Sequence, residues 1–161
     1  MKIDLTPILN GEVKELPFSF TENVPAQIVD DRFKGLDMQT GGDLTVNGKV
    51  RDISGYYELD FSAALPCVTH CARCGRQMSF VCECASHLIA SEDAERGEDE
   101  GYIVYSDRQI ELDGPVYEEL SISFPSKPLC KEDCRGLCPV CGADLNTESC
   151  EHSEKEEKDT L

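Results

Sequence analysis

The distribution of cysteine limits this chain more than any other feature. Ten cysteines occur among 161 residues, five between positions 67 and 84 and five between 130 and 150. Thiols gathered in this way crosslink a chain either as disulfides or as metal thiolates, and the redox compartment decides between the two. The opening Met1-Lys2-Ile3-Asp4-Leu5-Thr6-Pro7 breaks any apolar run, so no export signal is expected, and no stretch approaches the ~20 apolar residues of a membrane span. A cytoplasmic protein with reduced thiols follows, in which clustered cysteines favour metal.

Spacing gives the C-terminal cluster its specificity. It reads Cys130-x3-Cys134-x3-Cys138-x2-Cys141-Gly142. Cys-x2-Cys followed by glycine forms a tight turn that aims both sulfurs at one ion, while glycine accepts the positive φ that other residues resist. Cys130, Cys134, Cys138 and Cys141 are the preferred set for one Zn2+, with Cys150 and His152 as alternates. Four thiolates close the coordination sphere, so the site is structural. A redox disulfide at Cys138 and Cys141 is disfavoured, because no βα pattern presents the pair at a helix N-terminus.

The earlier cluster supplies a second possible site from Cys71, Cys74, Cys67, Cys82 and Cys84. Cys71-Ala72-Arg73-Cys74-Gly75 is a good knuckle. Cys82 and Cys84, with one residue between them, are expected to point to opposite faces of a strand, so at most one of them is expected to serve. Unliganded cysteines acting as small buried hydrophobes are the competing reading for this group.

The rest of the chain predicts an α+β fold, mostly antiparallel β with a short helix. Tyr57, Leu59, Phe61, Ala63 and Leu65 alternate strictly and mark the clearest strand, paired as a hairpin with Leu44 to Val50 across Ile53-Ser54-Gly55. Met78 to Ile89, Tyr102 to Tyr105 and Ile110 to Leu112 read as further strands. Asp113 is a plausible N-cap with Pro115 just inside, opening a helix marked by Val116, Leu120 and Ile122 that Pro125 and Pro128 end. Before position 40, Pro7, Gly11, Pro17 and Pro25 interrupt any helix, which leaves short strands and turns. Residues 91–101 hold six acidic residues and one arginine and suit an exposed, mobile loop.

Three units result: a β-rich domain over 1–128 carrying the knuckle (67–84) and the acidic loop (91–101), a zinc-binding segment over 129–150, and a disordered acidic tail over 151–161.

Charge sorts the functions. The net charge of −17 repels phosphate surfaces and favours a basic protein partner. No membrane partner or small-molecule substrate is indicated, and no catalytic constellation emerges, so the protein is not expected to be an enzyme. The three histidines, His70, His87 and His152, sit near cysteines, only His70 beside a good knuckle, and His87 on its apolar stretch reads as a core histidine.

With both clusters in place the chain resembles the bacterial YceD family. The likeness is carried by Cys71-Ala72-Arg73-Cys74 after Leu65-Pro66, and by Ile110-Glu111-Leu112-Asp113 running on to Phe124-Pro125 and to the stretch from Leu129 through Cys141 to Asn146. Gly75 departs from the family's more usual apolar residue, Cys67, Cys82 and Cys84 are extras, and His152 stands where a further cysteine is common. The resemblance implies a non-enzymatic role in ribosome biogenesis, promoting synthesis, processing or stability of 23S ribosomal RNA. Its partner would be a basic ribosomal protein or precursor 23S rRNA. Arg73, Arg76, Lys131 and Arg135, beside the knuckles, are the candidate contact residues. A cytosolic thiol-based redox or metal-binding protein is the alternative.

Overall fold

A computed structural model describes residues 1–25, 28, 29, 33, 35 and 37–152, with the side chains of 97 and 98 left aside. Most of the expected tail, from 153 onward, lies outside the described residues.

The strict alternation around Leu59 produces the spine of the molecule. Strands β4 (Leu44–Ile53), β5 (Tyr56–His70) and β6 (Gln77–Ser91) form a continuous antiparallel meander, in which β5 and β6 stay in register from Tyr57 opposite Ala90 to His70 opposite Gln77. The inward positions of β5 are Leu59, Phe61, Ala63, Leu65, Cys67 and Thr69, all buried. Ser54 (φ 55°) and Gly55 (φ 96°) make the turn between β4 and β5, both with the positive φ that suits strand twist. β4 runs unbroken through Asn47-Gly48. A side chain at Gly48 would place a Cβ 2.3 Å from the Asp60 carbonyl oxygen and 2.5 Å from Phe18 Cζ, so glycine is what lets β4 sit this close to its neighbours.

Around this spine the sheet extends by β2 (Glu15–Glu22) beyond β4, and by β7 (Tyr102–Ser106), β8 (Gln109–Glu111) and β1 (Lys2–Asp4) beyond β6. The short β3 (Gln39–Thr40) pairs with the end of β5. Pairing is antiparallel except between β6 and β7. The eight strands approach a barrel, with α1 (Thr6–Leu9) against β2 and α2 (Asp113–Ser123) against β5 and β6. The expectation that Pro7 forbids a helix fails, because proline is tolerated in the first turn, where its missing N–H is not needed.

Helix α2 begins one residue earlier than expected. Leu112 is the N-cap and contributes no side-chain bond, while Asp113 lies in the first turn, where its charge suits the helix dipole. Val116, Tyr117 and Leu120 are buried, whereas Ile122, expected with them, is 72 % exposed because it lies off that face. The expected acidic loop contains a 3-10 turn, Ala94–Glu98, opened by the Asp93 carboxylate accepting from the Glu95 N–H.

The main core joins Ile3, Leu5, Ile8, Leu44, Val46, Val50, Leu59, Leu65, Ile110, Leu112, Val116 and Leu120. Each fully buried aliphatic side chain of this kind contributes ~1.5–3 kcal/mol. A second, smaller core consists largely of sulfur: Cys71, Cys74 and Cys134, with Met78, Leu129 and Cys130 packed against them.

Candidate metal centres

The tip of the β5–β6 hairpin is the first knuckle. The Cys71 N–H donates to the Arg76 carbonyl at 2.9 Å and the Gly75 N–H to the Cys71 carbonyl at 2.9 Å, with Gly75 at φ 66°. After α2 the chain returns to this tip, the Ala72 N–H donating to the Pro128 carbonyl at 2.8 Å. That return brings Cys130 and Cys134 onto the knuckle. Cys71 Sγ lies 3.7 Å from Cys134 Sγ, and Cys74 Sγ lies 3.7 Å from Cys130 Sγ. All four sulfurs fall within 4.8 Å of one another. A tetrahedron with metal–sulfur arms of ~2.3 Å has edges of roughly 3.8 Å, so the donor set fits one ion.

Electrostatics agree. Backbone N–H groups of Cys130, Cys74 and Arg73 lower the Cys71 thiol to about 6, whereas burial and then the neighbouring sulfurs push Cys130 up to about 12. One thiolate forms readily and the last resists, because four anionic sulfurs this close repel. A cation removes that repulsion.

The second group is built from Cys138, Cys141, Cys150 and His152, whose ligand atoms also lie within 4.8 Å of one another. Its knuckle repeats the local geometry of the first. The Gly142 N–H donates to the Cys138 carbonyl at 2.9 Å, Gly142 has φ 73°, and N–H groups of Cys141 and Val140 lower the Cys138 thiol to about 6. Cys138 is buried, Cys150 half-buried, and Cys141 and His152 exposed. These are two groups that can each hold a metal ion.

The expected single set of Cys130, Cys134, Cys138 and Cys141 is thus divided between two centres. Arg135-Gly136-Leu137 makes the separation: Gly136 adopts φ 75° and packs so tightly that a Cβ there would lie 3.0 Å from the Arg73 carbonyl oxygen. Cys134 therefore faces the hairpin tip while Cys138 opens its own knuckle. Cys150 and His152, held as alternates, complete the second group.

The remaining expected donors do not join the first centre. Cys67 and Cys82 are buried in the main core and Cys84 packs against it. The Cys67 thiol donates to the Leu65 carbonyl at 3.2 Å and the Cys82 thiol to the Leu120 carbonyl at 3.5 Å. Burial pushes Cys67 and Cys84 up to about 11. The expectation that Cys82 and Cys84 point to opposite faces fails: both turn inward, as residues two apart on a strand must. What excludes them is their place along the sheet, well away from the hairpin tip. His87 corrects another expectation: it lies on the outer face of β6, half exposed, with Nδ1 2.6 Å from Asp60 Oδ1. His70 Nδ1 lies 2.8 Å from Asp37 Oδ2.

Polar links brace the first centre and tie it to the segment that carries the second. Arg73 donates to the Cys134 carbonyl at 2.7 Å, and Arg76 pairs with Asp144 at 3.0 Å. The backbone and side-chain N–H groups of Asn146, followed by Arg76, hold the Asp144 carboxyl below its usual range. Asn146 itself accepts from the Arg135 N–H at 3.0 Å and donates through Nδ2 to Cys134 Sγ at 3.5 Å. Two of the four expected contact residues, Arg73 and Arg76, are therefore engaged within the molecule. Lys131 lies 3.6 Å from Asp133, and Arg135 is exposed. Nothing in the sequence marked Asn146 as an N–H donor to sulfur, because its partner Cys134 is twelve residues away.

The chain is 32 % identical over 114 residues to an uncharacterized protein of Mycobacterium tuberculosis and to one of Mycobacterium bovis, matches that take in 67 % of this chain and 54 % of each relative. It is 25 % identical over 122 residues to an uncharacterized protein of Mycobacterium leprae, covering 69 % of this chain and 53 % of that protein. The chain thus spans about half the length of the curated relatives it matches. No solved structure matches it significantly. The family model described as large ribosomal RNA subunit accumulation protein YceD matches residues 59–161, from the long hairpin strand through both ligand groups. That match takes in well over half of the sequence, and the chain belongs to the YceD family.

Proposed function

We propose that this protein is a non-enzymatic, cytoplasmic zinc-binding factor in ribosome biogenesis, promoting the synthesis, processing or stability of 23S ribosomal RNA. The family's description supports the biological setting. The observation that carries the chemistry is the pair of 3.7 Å sulfur–sulfur contacts drawn from two distant chain segments. Thiolate-rich tetrahedral sets suit zinc over magnesium or calcium, and four protein ligands leave no position for a substrate. Zinc in this reading shapes a surface and performs no reaction. With a net charge of −17, the protein meets a basic ribosomal protein more readily than precursor 23S rRNA itself.

Depleting the protein and following 23S rRNA and its precursors tests the biological half. A fall in mature 23S rRNA, restored by the wild-type chain and not by Cys71→Ser/Cys134→Ser, is the expected outcome. Unaltered precursor and subunit profiles would remove the reading. Metal analysis of the purified chain tests the chemical half, with two zinc equivalents expected.

A thiol-based redox role draws on one specific observation, the exposure of Cys141 beside the low-pKa Cys138. Reversible two-electron cycling of that pair at cytosolic potential, with the metal released on oxidation, would favour it over a structural centre.

A further inference from the structure

At the end of the β5–β6 hairpin opposite the knuckle, four tyrosines converge. Tyr56, Tyr57, Tyr102 and Tyr105, with Arg96 and Glu92, are the principal walls of a cavity of about 360 Å³. Tyr56, beside the β4–β5 turn, is 70 % exposed. Tyr57 meets Tyr105 edge to face, centroids 6.4 Å apart at 86°. Tyr102 opens β7, and the Arg96 guanidinium carbon stands 4.9 Å above its ring. Burial first, and the charge of Glu92 second, hold the Tyr105 phenol above its ordinary value, which sets a carboxylate near the aromatic wall.

Aromatic faces carry negative quadrupole density and attract cations, with guanidinium and ammonium groups the common guests. Here the molecule supplies an example itself, since Arg96 already occupies the Tyr102 face. Glu92 lines the cavity itself, and the connection from β6 to β7 that carries it also holds Asp93, Glu95, Asp99 and Glu100, so the charge of this connection favours a positive guest. A tyrosine platform can also stack a nucleobase, but the phosphates attached to that base would then face these carboxylates.

We propose that this cavity is a cage for an arginine or lysine side chain projecting from a basic protein segment, the guest displacing Arg96 or stacking beside it. The proposal goes beyond the functional reading above, which assigns no residue to a partner. It also stands apart from the metal centres, at the other end of the hairpin, so it can fail while they hold.

The test is fluorescence anisotropy of the full chain with a labelled peptide of alternating arginine and glycine, and with the same peptide carrying uncharged citrulline. Binding of the first and not the second is expected. Tyr56→Ala and Tyr102→Ala should each weaken it about five-fold, and Tyr56→Phe less than about two-fold. Arg96→Gln should tighten binding by vacating the ring, and that gain should vanish in a Tyr102→Ala background. In the unaltered protein, NMR shifts on adding peptide should concentrate on these four tyrosine rings, which keeps the test decisive if a variant loses its fold. Binding indifferent to the tyrosines would reduce the attraction to bulk charge and overturn the cage. So would a single-stranded RNA oligonucleotide whose binding depends on the same rings, or an absence of shifts at them.

Discussion

The two ligand groups share a knuckle and differ in almost everything else. The first draws two cysteines from the β5–β6 hairpin and two from beyond α2, its sulfur contacts joining residues 63 and 56 positions apart. Three of its four ligands are buried and it has a small core of its own. The second is assembled within a single segment ending at His152, with two of its four ligands exposed. Equal local chemistry therefore does unequal work. A metal in the first centre closes a long loop of the unfolded chain and acts as a tertiary crosslink, whereas a metal in the second orders only its own segment.

The largest test of that contrast is Cys134→Ser. It should remove one metal equivalent, detach the C-terminal segment from the hairpin tip and lower stability by about 4 kcal/mol, the scale for opening a crosslinked loop of this length. Metal analysis and urea unfolding check it, and two retained equivalents would break the assignment. Cys138→Ser should also cost one equivalent, yet change unfolding of the sheet by only about 1 kcal/mol, because a local site adds little to distant strands. If Cys138→Ser proved as damaging as Cys134→Ser, the centres would be one cooperative unit.

Asn146→Ala probes the link between them. Losing the amide that solvates the Cys134 sulfur should weaken metal at the first centre about ten-fold, read by chelator competition, with the fold intact. A change confined to the second centre would mean that Asn146 serves only its own turn.

A pH titration of the metal-free chain sharpens the comparison further. Cys71 and Cys138 are both lowered to about 6 from an ordinary 9.0. Their stabilising contribution is therefore complete above about pH 9 and is lost as pH falls toward 6. Thiolate absorbance should show two early ionisations, one removed by Cys71→Ser and the other by Cys138→Ser, with Cys130 ionising only near 12. The smallest effect at the centres belongs to Cys67→Ala, which should leave metal content unchanged and cost about 1 kcal/mol of core packing.

Much of this molecule is legible before folding. The alternation from Tyr57 to Leu65 locates β5, because a strand with one wet face must repeat with period two. Each Cys-x2-Cys-Gly reads as a knuckle, because a turn of a few residues is set by those residues and by the glycine's positive φ. The helix after Leu112 is visible in its apolar spacing, although its cap moved by one residue and Ile122 fell on the wet side.

What only the tertiary structure decided is which knuckle closes on which partners. Spacing along the chain favoured joining Cys130 and Cys134 to Cys138 and Cys141, their nearest neighbours in sequence. The ligand set is instead chosen by where α2 returns the chain and by how Gly136 seats against Arg73, long-range packing that no local pattern records. Cys67, Cys82 and Cys84 make the same point in reverse. They lie in sequence beside Cys71 and Cys74, but the register of two long strands carries them into the apolar core. Residue type and spacing determined that this chain carries thiols able to hold metal, and the path of the backbone in space determined which sulfurs stand together.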